Sequence, residues 1–458
     1  MMFKKFIFGV VFSVTLLSHA MADTIKLDLP TLIKQARQHG NPQVAMVQAR
    51  AQQAAAEKAA VEAEDRARLD LQAHTKRYKS HAEGARQHDY QTILEVNQPL
   101  HLFGHQQARE RAADLRYQAK RAQVEQAQSH FVVDVIERFY QLHASELAVQ
   151  SLEEAHALAY VRWDRAKEHL ALGKTDDLSV AQWLARVERT RHKLYQARSE
   201  NRMARVQLSL LTGQSLSDTL IRPPAAPKGF TTEYDVEPLL QRVLSHNPQA
   251  KQVQRALEAA RAEQEATVWT PELNLFSHVG QSARELSGRN RWAIGLELDL
   301  PLWSGGALDA KKQKQAATTT EVLAKQDATR RTLTIALKQL LSDLSNAKQG
   351  LIAAKATMQW AEANLMKRQS LYQMERVSTL GDAMVELTQA EADQVRADGA
   401  YYVAVAKLAS LLGDNPEQAL QADYLQQIGQ RDGQNSEPQE GGFTPPVGSG
   451  YGEHHVKE

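Results

Sequence analysis

The chain has 458 residues, of which 43% are hydrophobic, and this length is enough for two or three domains of ordinary size. Lys and Arg number 55 against 54 for Asp and Glu, so the charge balance gives no electrostatic case for nucleic acid as the main partner. Cysteine is absent, which excludes disulfides, cysteine-ligated metal sites, a cysteine nucleophile and lipid attachment through cysteine.

The N-terminus has the pattern of a secretory leader. Two lysines precede an apolar run over residues 6–17, and small residues stand at Ala20 and Ala22. The pattern predicts a signal peptide over residues 1–22, cleaved after Ala22, with a retained N-terminal anchor as the alternative. Because no later stretch comes near 18 consecutive apolar residues, we expect the exported chain to be either soluble outside the cytoplasm or inserted as a β-barrel.

Helix and then two strands are predicted in the first part of the mature chain. Residues 31–66 are rich in Ala and Gln, and Asn41-Pro42 fits a turn followed by proline at the first helical position. Two segments with a period of two follow, at residues 69–73 and 90–97. The polar stretch between them, from residue 78 to 89, is predicted to be a hairpin loop.

Helical periodicity returns at Gly104 and lasts to about residue 170, and a second such stretch begins at Gly306. At 1.5 Å per residue each helix is roughly 100 Å long, much longer than a compact domain needs. Each reverses at a short turn, from which a shorter helix runs back. The turns are predicted at residues 172–177 and 377–382, and the returning helices at residues 178–212 and 383–412.

The second long helix carries a seam of apolar residues with an average spacing of 3.5 residues. Such a repeat requires a partner helix in a coiled-coil arrangement. The seam consists of Leu333, Leu337, Leu340, Leu344, Ala347, Leu351, Ala354, Met358, Ala361 and Leu365.

The strand preceding this helix has one apolar and one acidic face. Trp292, Ile294, Leu296, Leu298 and Leu300 alternate with small and acidic residues, which is typical of a membrane strand with lipid on one side and water on the other. A soluble antiparallel strand also alternates, and this is the alternative. The acids predicted to face the lumen of a barrel are Glu95, Glu297 and Asp299.

The motifs of the first half recur in the same order roughly 200 residues later, which indicates an internal duplication. Three pairs of segments carry the repeat: residues 39–43 and 245–249, 98–104 and 300–306, and 210–213 and 410–413. The predicted organisation is a first repeat at 30–213, a linker at 214–234, a second repeat at 235–413 and a disordered tail at 414–458.

No catalytic constellation is found, since the chain has no glycine-rich phosphate loop, no His-Glu-x-x-His and no Gly-x-Ser-x-Gly. His454 and His455 are interpreted as solvated tail residues, and no metal role is expected for His101 and His105. We therefore expect no enzyme activity, no cofactor and no metal.

The ordered set of motifs resembles the TolC family of outer-membrane efflux proteins over residues 30–413. The resemblance rests on the Asn-Pro-Gln helix starts, the Pro-Leu…Gly junctions between strand and helix, the hairpin tips, the Leu-Leu-x-Gly helix ends and the duplication. The resemblance implies a mainly α-helical homotrimer, with a 12-stranded outer-membrane β-barrel continuous with a periplasmic α-helical barrel. It also implies a Gram-negative outer membrane and its lipid as surroundings, with a periplasmic adaptor and an inner-membrane pump of RND or ABC type as partners.

The resemblance further implies which residues form a periplasmic gate. The family's tip motif Asp-Val-Leu-Asp-Ala falls on residues 379–383, where only its second acid is retained, as Asp382. Asp176 and Asp177 lie just before the corresponding segment of the first repeat, where a helix N-cap is the competing interpretation. The gate candidates are Asp382, Glu386, Asp176 and Asp177, and the tip residues expected to contact the adaptor are Leu172, Gly173, Leu380 and Gly381.

Two functions remain open from the sequence. The first is a passive exit duct of a tripartite efflux or type I secretion system. The second is a structural coiled-coil protein that spans the cell envelope without transport. Acidic residues on one face of the strands favour the duct, because a scaffold has no need of them.

Overall fold

The computed structural model describes residues 27–79, 86–101, 104–216, 221–222, 235–282, 291–374, 380–421 and 424–425. The predicted signal peptide with its cleavage site at Ala22, most of the predicted linker, and the tail beyond residue 425 with His454 and His455 lie outside these ranges.

Both halves of the chain contain a two-residue strand, two short helices, two long strands, a helix of 67 residues and a shorter helix. This order confirms the predicted duplicated architecture. The first half consists of β1 (Leu27–Asp28), α1 (Leu29–His39), α2 (Pro42–Ala63), β2 (Arg68–Lys79), β3 (Arg86–Leu100), α3 (His105–Ala171) and α4 (Asp177–Thr212). The second consists of β4 (Ile221–Arg222), α5 (Val236–His246), α6 (Pro248–Ala266), β5 (Glu272–Ser282), β6 (Trp292–Asp299), α7 (Ala307–Gln373) and α8 (Leu380–Leu412), followed by a 3-10 helix (Pro416–Leu420).

Asparagine and proline set the start of the second helix in each repeat. The side-chain oxygen of Asn41 accepts a hydrogen bond from the Gln43 amide at 2.7 Å, and Pro42 is the first residue of α2. Asn247 accepts one from the Gln249 amide at 2.8 Å, ahead of Pro248. The caps accept hydrogen bonds from backbone amides that have no partner within the helix. Proline has no amide proton, but at the first helical position the amide makes no helix hydrogen bond, so none is lost.

Glycine ends the last helix of each repeat, at a point where that helix packs against the turn before the asparagine cap. Gly213 and Gly413 have φ angles of 70° and 80°, which favour glycine over other residues. Gly213 lies against the imidazole of His39, and Gly413 lies against the backbone carbonyl of His246. In each repeat, the segment with the asparagine cap and the segment with the terminal glycine therefore pack against each other.

Four long strands form one antiparallel sheet with the order β2-β3-β5-β6. The hairpin of each repeat contributes two neighbouring strands, and β3 pairs with β5 to join the repeats. Pairing of β2 with β3 extends to Lys79 and Arg86, so the first hairpin loop is shorter than the predicted 78–89. The reason is that apolar alternation marks only part of a strand, whereas backbone pairing continues through polar residues.

The chain divides into two compact units, and α3 and α7 contribute residues to both. The first unit contains Met1–His39, Arg138–Ala225 and Ala361–Val395, and the second contains Gly40–Glu137, Ala226–Trp360 and Arg396–Glu458. Fully buried side chains of the first include Leu32, Ile33, Phe139, Leu142 and Leu208. Those of the second include Ile136, Leu239, Leu337, Leu344, Leu408 and Leu412.

The predicted apolar seam of α7 faces the protein interior along its length. Six of its ten positions are buried and the other four are half-buried. The seam is thus the buried face of α7, and the coiled-coil arrangement with a partner helix stays a prediction. Among the helices described, none combines the length and the apolar character that a membrane span requires.

The beginning of the predicted disordered tail is packed. Asp414 accepts hydrogen bonds from the Arg242 guanidinium at 2.9 Å and from the Tyr424 hydroxyl at 2.8 Å, and Tyr424 and Leu425 are buried. The prediction of disorder rested on the average composition of the tail, which is polar and does not reveal these few anchoring side chains. Within the predicted linker, Ile221 and Arg222 pair with Leu27 and Asp28 as two short parallel strands.

Replacing glycine by alanine at three positions tests the turn packing. In Gly413→Ala the new Cβ would lie 2.5 Å from the His246 carbonyl oxygen, so we expect a loss of more than about 2 kcal/mol, since the left-handed backbone alone costs about 1–2 kcal/mol. Gly213→Ala should cost less, because its obstacle is a side chain that can rotate. Gly350→Ala, inside α7 with nothing within 4 Å, is the control and should stabilise by about 1 kcal/mol. Thermal unfolding followed by circular dichroism measures all three, and equal effects would contradict the packing account.

Candidate functional site

One face of the four-stranded sheet is acidic. Residues directly paired in an antiparallel sheet share a face, as do residues two apart along a strand. Glu95 pairs with Asp70 and with His278, while Glu297 pairs with Asn274, which is four residues from His278 on β5 and so on the same face. The predicted lumen acids Glu95, Glu297 and Asp299 therefore lie on the same face. Asp70 and Glu272 belong to it as well. Asp70 alternates with Leu69 and Leu71, and Glu272 directly precedes Leu273, so the same alternation rule would have found both.

The opposite face of the sheet is apolar and open. Leu71, Trp292 and Leu296 are 69%, 70% and 65% exposed. Exposed apolar surface of this extent on a sheet indicates contact with something other than water. Together with the acidic face, it matches a strand layer between lipid and an aqueous lumen.

The first helical hairpin turns at a left-handed glycine. The Gly173 amide donates to the Leu170 carbonyl at 2.9 Å, and the Lys174 amide donates to the His169 carbonyl at 2.8 Å. These two bonds complete a glycine-ended helix stop, in which Gly173 has a φ of 68°. Leu172, beside it, is 65% exposed, so the turn presents an apolar side chain to the surroundings.

Asp176 is the N-cap of α4, as the competing interpretation proposed. Its carboxylate accepts hydrogen bonds from the Ser179 amide at 2.9 Å and from the Ser179 hydroxyl at 2.5 Å. These bonds, the hydroxyl's first and then the amide's, lower the pKa of Asp176 from its ordinary value of 3.8. Asp177 is the first residue of α4, where a negative charge is favourable to the helix dipole.

The second hairpin differs from the sequence prediction. α8 begins at Leu380 rather than at residue 383, so Leu380, Gly381 and Asp382 form its first turn and Asp382 is not its N-cap. A Cβ on Gly381 would lie 2.9 Å from a methyl carbon of Leu158 on α3. Glycine at this position therefore lets α8 approach α3 closely, and Gly381 is half-buried there. The turn residues 375–379 lie outside the described ranges.

Asp382 forms an ion pair with Arg162 of α3. The guanidinium also lies over the ring of Trp183 of α4, with its central carbon 5.5 Å from the ring centroid. Arg162 thus connects three helices, and its side chain is only 26% exposed. No local sequence pattern indicates this pair, because the two partners are 220 residues apart.

Glu386, one turn further along α8, is hydrogen-bonded to the Asn364 amide group at 2.6 Å. The next turn continues the contact with α3, where the Thr388 hydroxyl donates to Glu154 at 2.8 Å. Both predicted acids of the second tip therefore have protein partners on neighbouring helices.

The acids of the two tips lie at different levels. The first turn of α8 contacts α3 at Leu158 and Arg162, whereas Asp176 lies beyond the end of α3 at Ala171. Nine residues of helix separate Arg162 from Ala171, a distance of about 14 Å. Within one chain the structure does not bring Asp176 beside Asp382.

No group of three or more potential ligands suited to a metal ion occurs in the part of the chain that the structure describes. His101 and His105 lie with their ring centroids 5.3 Å apart, and His101 is 3.8 Å from the Asp65 carboxylate.

Residues 32–214 and 239–414 match the outer membrane efflux protein family. The chain belongs to this family. Its members are channels rather than enzymes, so the protein is an efflux channel of the outer membrane that extends into the periplasm. No curated protein sequence gives a significant match.

Solved structures show the same fold. The CmeC outer membrane channel of Campylobacter jejuni is 17% identical with a TM-score of 0.70, over 88% of this chain and 89% of that one. VceC of Vibrio cholerae is 20% identical with a TM-score of 0.66, over 84% and 96%. The open state of the Neisseria gonorrhoeae MtrE channel is 17% identical with a TM-score of 0.67, over 84% and 89%.

The N-cap assignment of Asp176 predicts a pH dependence at the first tip. Because folding lowers the pKa of Asp176, its contribution to stability is present above the ordinary value of 3.8 and is lost as pH falls through the lower folded value. Amide hydrogen exchange should therefore show the Ser179 amide losing protection in this acid range.

Two variants control the experiment. Asp176→Asn keeps a capping side chain without a titrating group, so its Ser179 protection should not change with pH over the same range. Asp177→Asn, which leaves the cap intact, should behave as the unmodified chain does. A normal pH response in Asp176→Asn would show that another group is responsible.

Proposed function

We propose that the chain forms a homotrimeric, passive exit duct of a tripartite export system, with a periplasmic adaptor and an inner-membrane pump as partners. The observation that carries the proposal is the amphiphilic four-stranded sheet, whose end strands β2 and β6 each pair with only one neighbour among the strands that the structure describes. Membership of the efflux family favours a duct over a structural coiled-coil scaffold. The pump selects the cargo, whether for efflux or for type I secretion, because a wide aqueous duct selects little.

Closure of the sheet requires more than one chain. In lipid, each unsatisfied backbone group at an open edge costs several kcal/mol, so the sheet must be closed by other copies. Two chains would supply eight strands and three would supply twelve. The choice of three comes from the resemblance to the TolC family.

The two tips offer different surfaces to an adaptor. Leu172 and Gly173 lie at an exposed turn, whereas Leu380 and Gly381 are half-buried and Gly381 packs close to Leu158. Among the described tip residues, Leu172 and Gly173 are therefore the better candidates for contact with the adaptor, and contact there would act on the first turn of α8 through α3 and α4.

We assign the periplasmic constriction to Asp382. In a symmetric trimer, a pore-lining acid of one chain recurs three times, and such a ring favours cations. Arg162 holds Asp382 against α3 and α4, so splaying of α8 would break this ion pair as the constriction opens. Glu386, Asp176 and Asp177 are further acids at the periplasmic end of the duct, at different positions along the helix axes from Asp382.

Two substitutions test the gate by the sign of their effects. In planar-bilayer recordings of the purified protein, Asp382→Asn should weaken the preference for cations and the block by divalent cations. Arg162→Gln should strengthen both, because the carboxylate then lacks its neutralising partner.

A purely structural ion pair makes a different prediction. Both variants would then lower thermal stability and leave selectivity and block unchanged. Asp164→Asn, which removes the Lys167 ion pair on the same turn of α3, is the matched control and should leave selectivity unchanged. Absence of any conductance in the unmodified protein would overturn the duct itself.

A further inference from the structure

The exposed apolar face of the sheet ends in basic residues at the loop end of the first hairpin. Residues two apart along a strand share a face, so Arg77 lies on the same face of β2 as the exposed Leu71. Arg77 pairs with His88 of β3, and both residues are exposed. The apolar face therefore becomes basic within a single hairpin.

Every charged position on this face of the four described strands is basic. The acidic positions of β2, β3, β5 and β6 all fall on the opposite face, namely Asp70, Asp89, Glu95, Glu272, Glu297 and Asp299. Beyond Arg77 and His88 the register pairs Lys79 with Arg86, so a second basic pair follows the first. Like charges directly opposite each other destabilise a strand pair. An anion bound at this end of the hairpin would relieve the repulsion.

A tyrosine indicates the level of this basic end in the membrane. Tyr90 is 51% exposed on the same face and pairs with Thr75. Tyrosines of membrane strands are enriched where the hydrocarbon meets the lipid headgroups. Arg77 is two residues beyond Thr75, about 7 Å along the strand, and each headgroup layer of a bilayer is about 5–8 Å thick. Arg77 is therefore expected at the level of the headgroups.

The leaflet follows from the connections of the strands. One end of each strand of the sheet leads to a helix, whereas the other end leads to a hairpin loop. Because the helices extend into the periplasm, the loops lie on the outer side of the membrane. Arg77 and His88 are at the loop end, and this end faces the outer leaflet.

The chemistry of the pair suits a phosphate group. A guanidinium forms two parallel hydrogen bonds to phosphate oxygens, and an imidazole N–H donates a further one. The exposed apolar side chains that precede the pair on the same face, such as Leu71 and Leu94, suit acyl chains. A phosphorylated lipid matches both parts of the surface, whereas a free phosphate ion matches only the basic part.

We propose that Arg77 and His88 form a binding site for the phosphorylated headgroup of an outer-leaflet lipid, with one lipid bound per chain. This inference rests on the proposed function, which places the sheet in the membrane with its apolar face toward lipid. The phosphate lies between the two basic side chains, and the acyl chains cover the apolar residues of β2 and β3. The bound lipid thereby neutralises the end of the first hairpin.

The test is native mass spectrometry of the purified full-length protein in detergent, titrated with phosphatidic acid or with phosphatidylcholine of the same acyl chains. Phosphatidic acid, a phosphate monoester, should bind in preference and reach one molecule per chain. Arg77→Gln should weaken its binding about fivefold, the effect of one basic residue near an anionic lipid. Arg77→Lys should keep most of the binding, since the charge remains. His88→Phe should weaken binding about threefold, because one hydrogen bond is lost.

Lys76→Gln is the matched control. Lys76 is the neighbour of Arg77 but lies on the acidic face of β2, together with Arg68 and His74. The variant removes the same charge and should leave the binding of phosphatidic acid unchanged. An equal loss in Lys76→Gln would show that net charge attracts the lipid and would overturn the site.

Inorganic phosphate distinguishes a lipid site from an ion site. Excess phosphate should not displace phosphatidic acid, because the ion makes no contact with the apolar residues. Complete displacement would identify a site for a free anion and would contradict the proposal.

The outcomes separate this inference from the proposed function. If the unmodified protein conducts in planar bilayers but binds phosphatidic acid no better than phosphatidylcholine, the inference fails alone. Unchanged binding in Arg77→Gln overturns it equally. If the unmodified protein forms no channel, the proposed function fails, and this inference fails with it.

Discussion

A strand edge in lipid has no water to satisfy its backbone amides and carbonyls, and the rest of this structure depends on that constraint. The sheet of one chain has β2 and β6 at its ends, each paired with one neighbour only among the described strands. Its apolar face is largely exposed and its other face is acidic. A single chain thus presents an incomplete wall, which only further copies in a membrane can close.

The duplication gives the two halves of the chain the same helix start and the same helix end. In each repeat, an asparagine cap starts one helix, and a left-handed glycine ends another against the same turn. The two contacts are not identical, since a side chain lies against Gly213 and a carbonyl lies against Gly413. The repeats also differ at their tips, where the first ends in a capped, exposed turn and the second packs its first helical turn on α3.

Local patterns in the sequence were sufficient for the fold, because alternation, helical seams, Asn-Pro caps and terminal glycines act over a few residues. The acids Glu95, Glu297 and Asp299 were placed on one face for the same reason. The environment of Asp382 could not be predicted, since its partner Arg162 and the close approach of Leu158 to Gly381 depend on tertiary packing between helices distant in sequence. The anchoring of Tyr424 on Asp414 was missed because composition averages over a whole tail.

Disulfide cross-linking between the two edge strands tests the central claim most directly, because the chain contains no cysteine of its own. Three strand spacings separate β2 from β6 within one chain, about 14 Å, whereas a disulfide requires Cα atoms within about 7 Å. We would scan one cysteine along β2 and a second along β6, and oxidise the protein in its native membrane. The account predicts that one register of pairs yields a covalent product of three chains and no larger species. Products that stop at two chains, polymers without limit, or no cross-link in any register would contradict it.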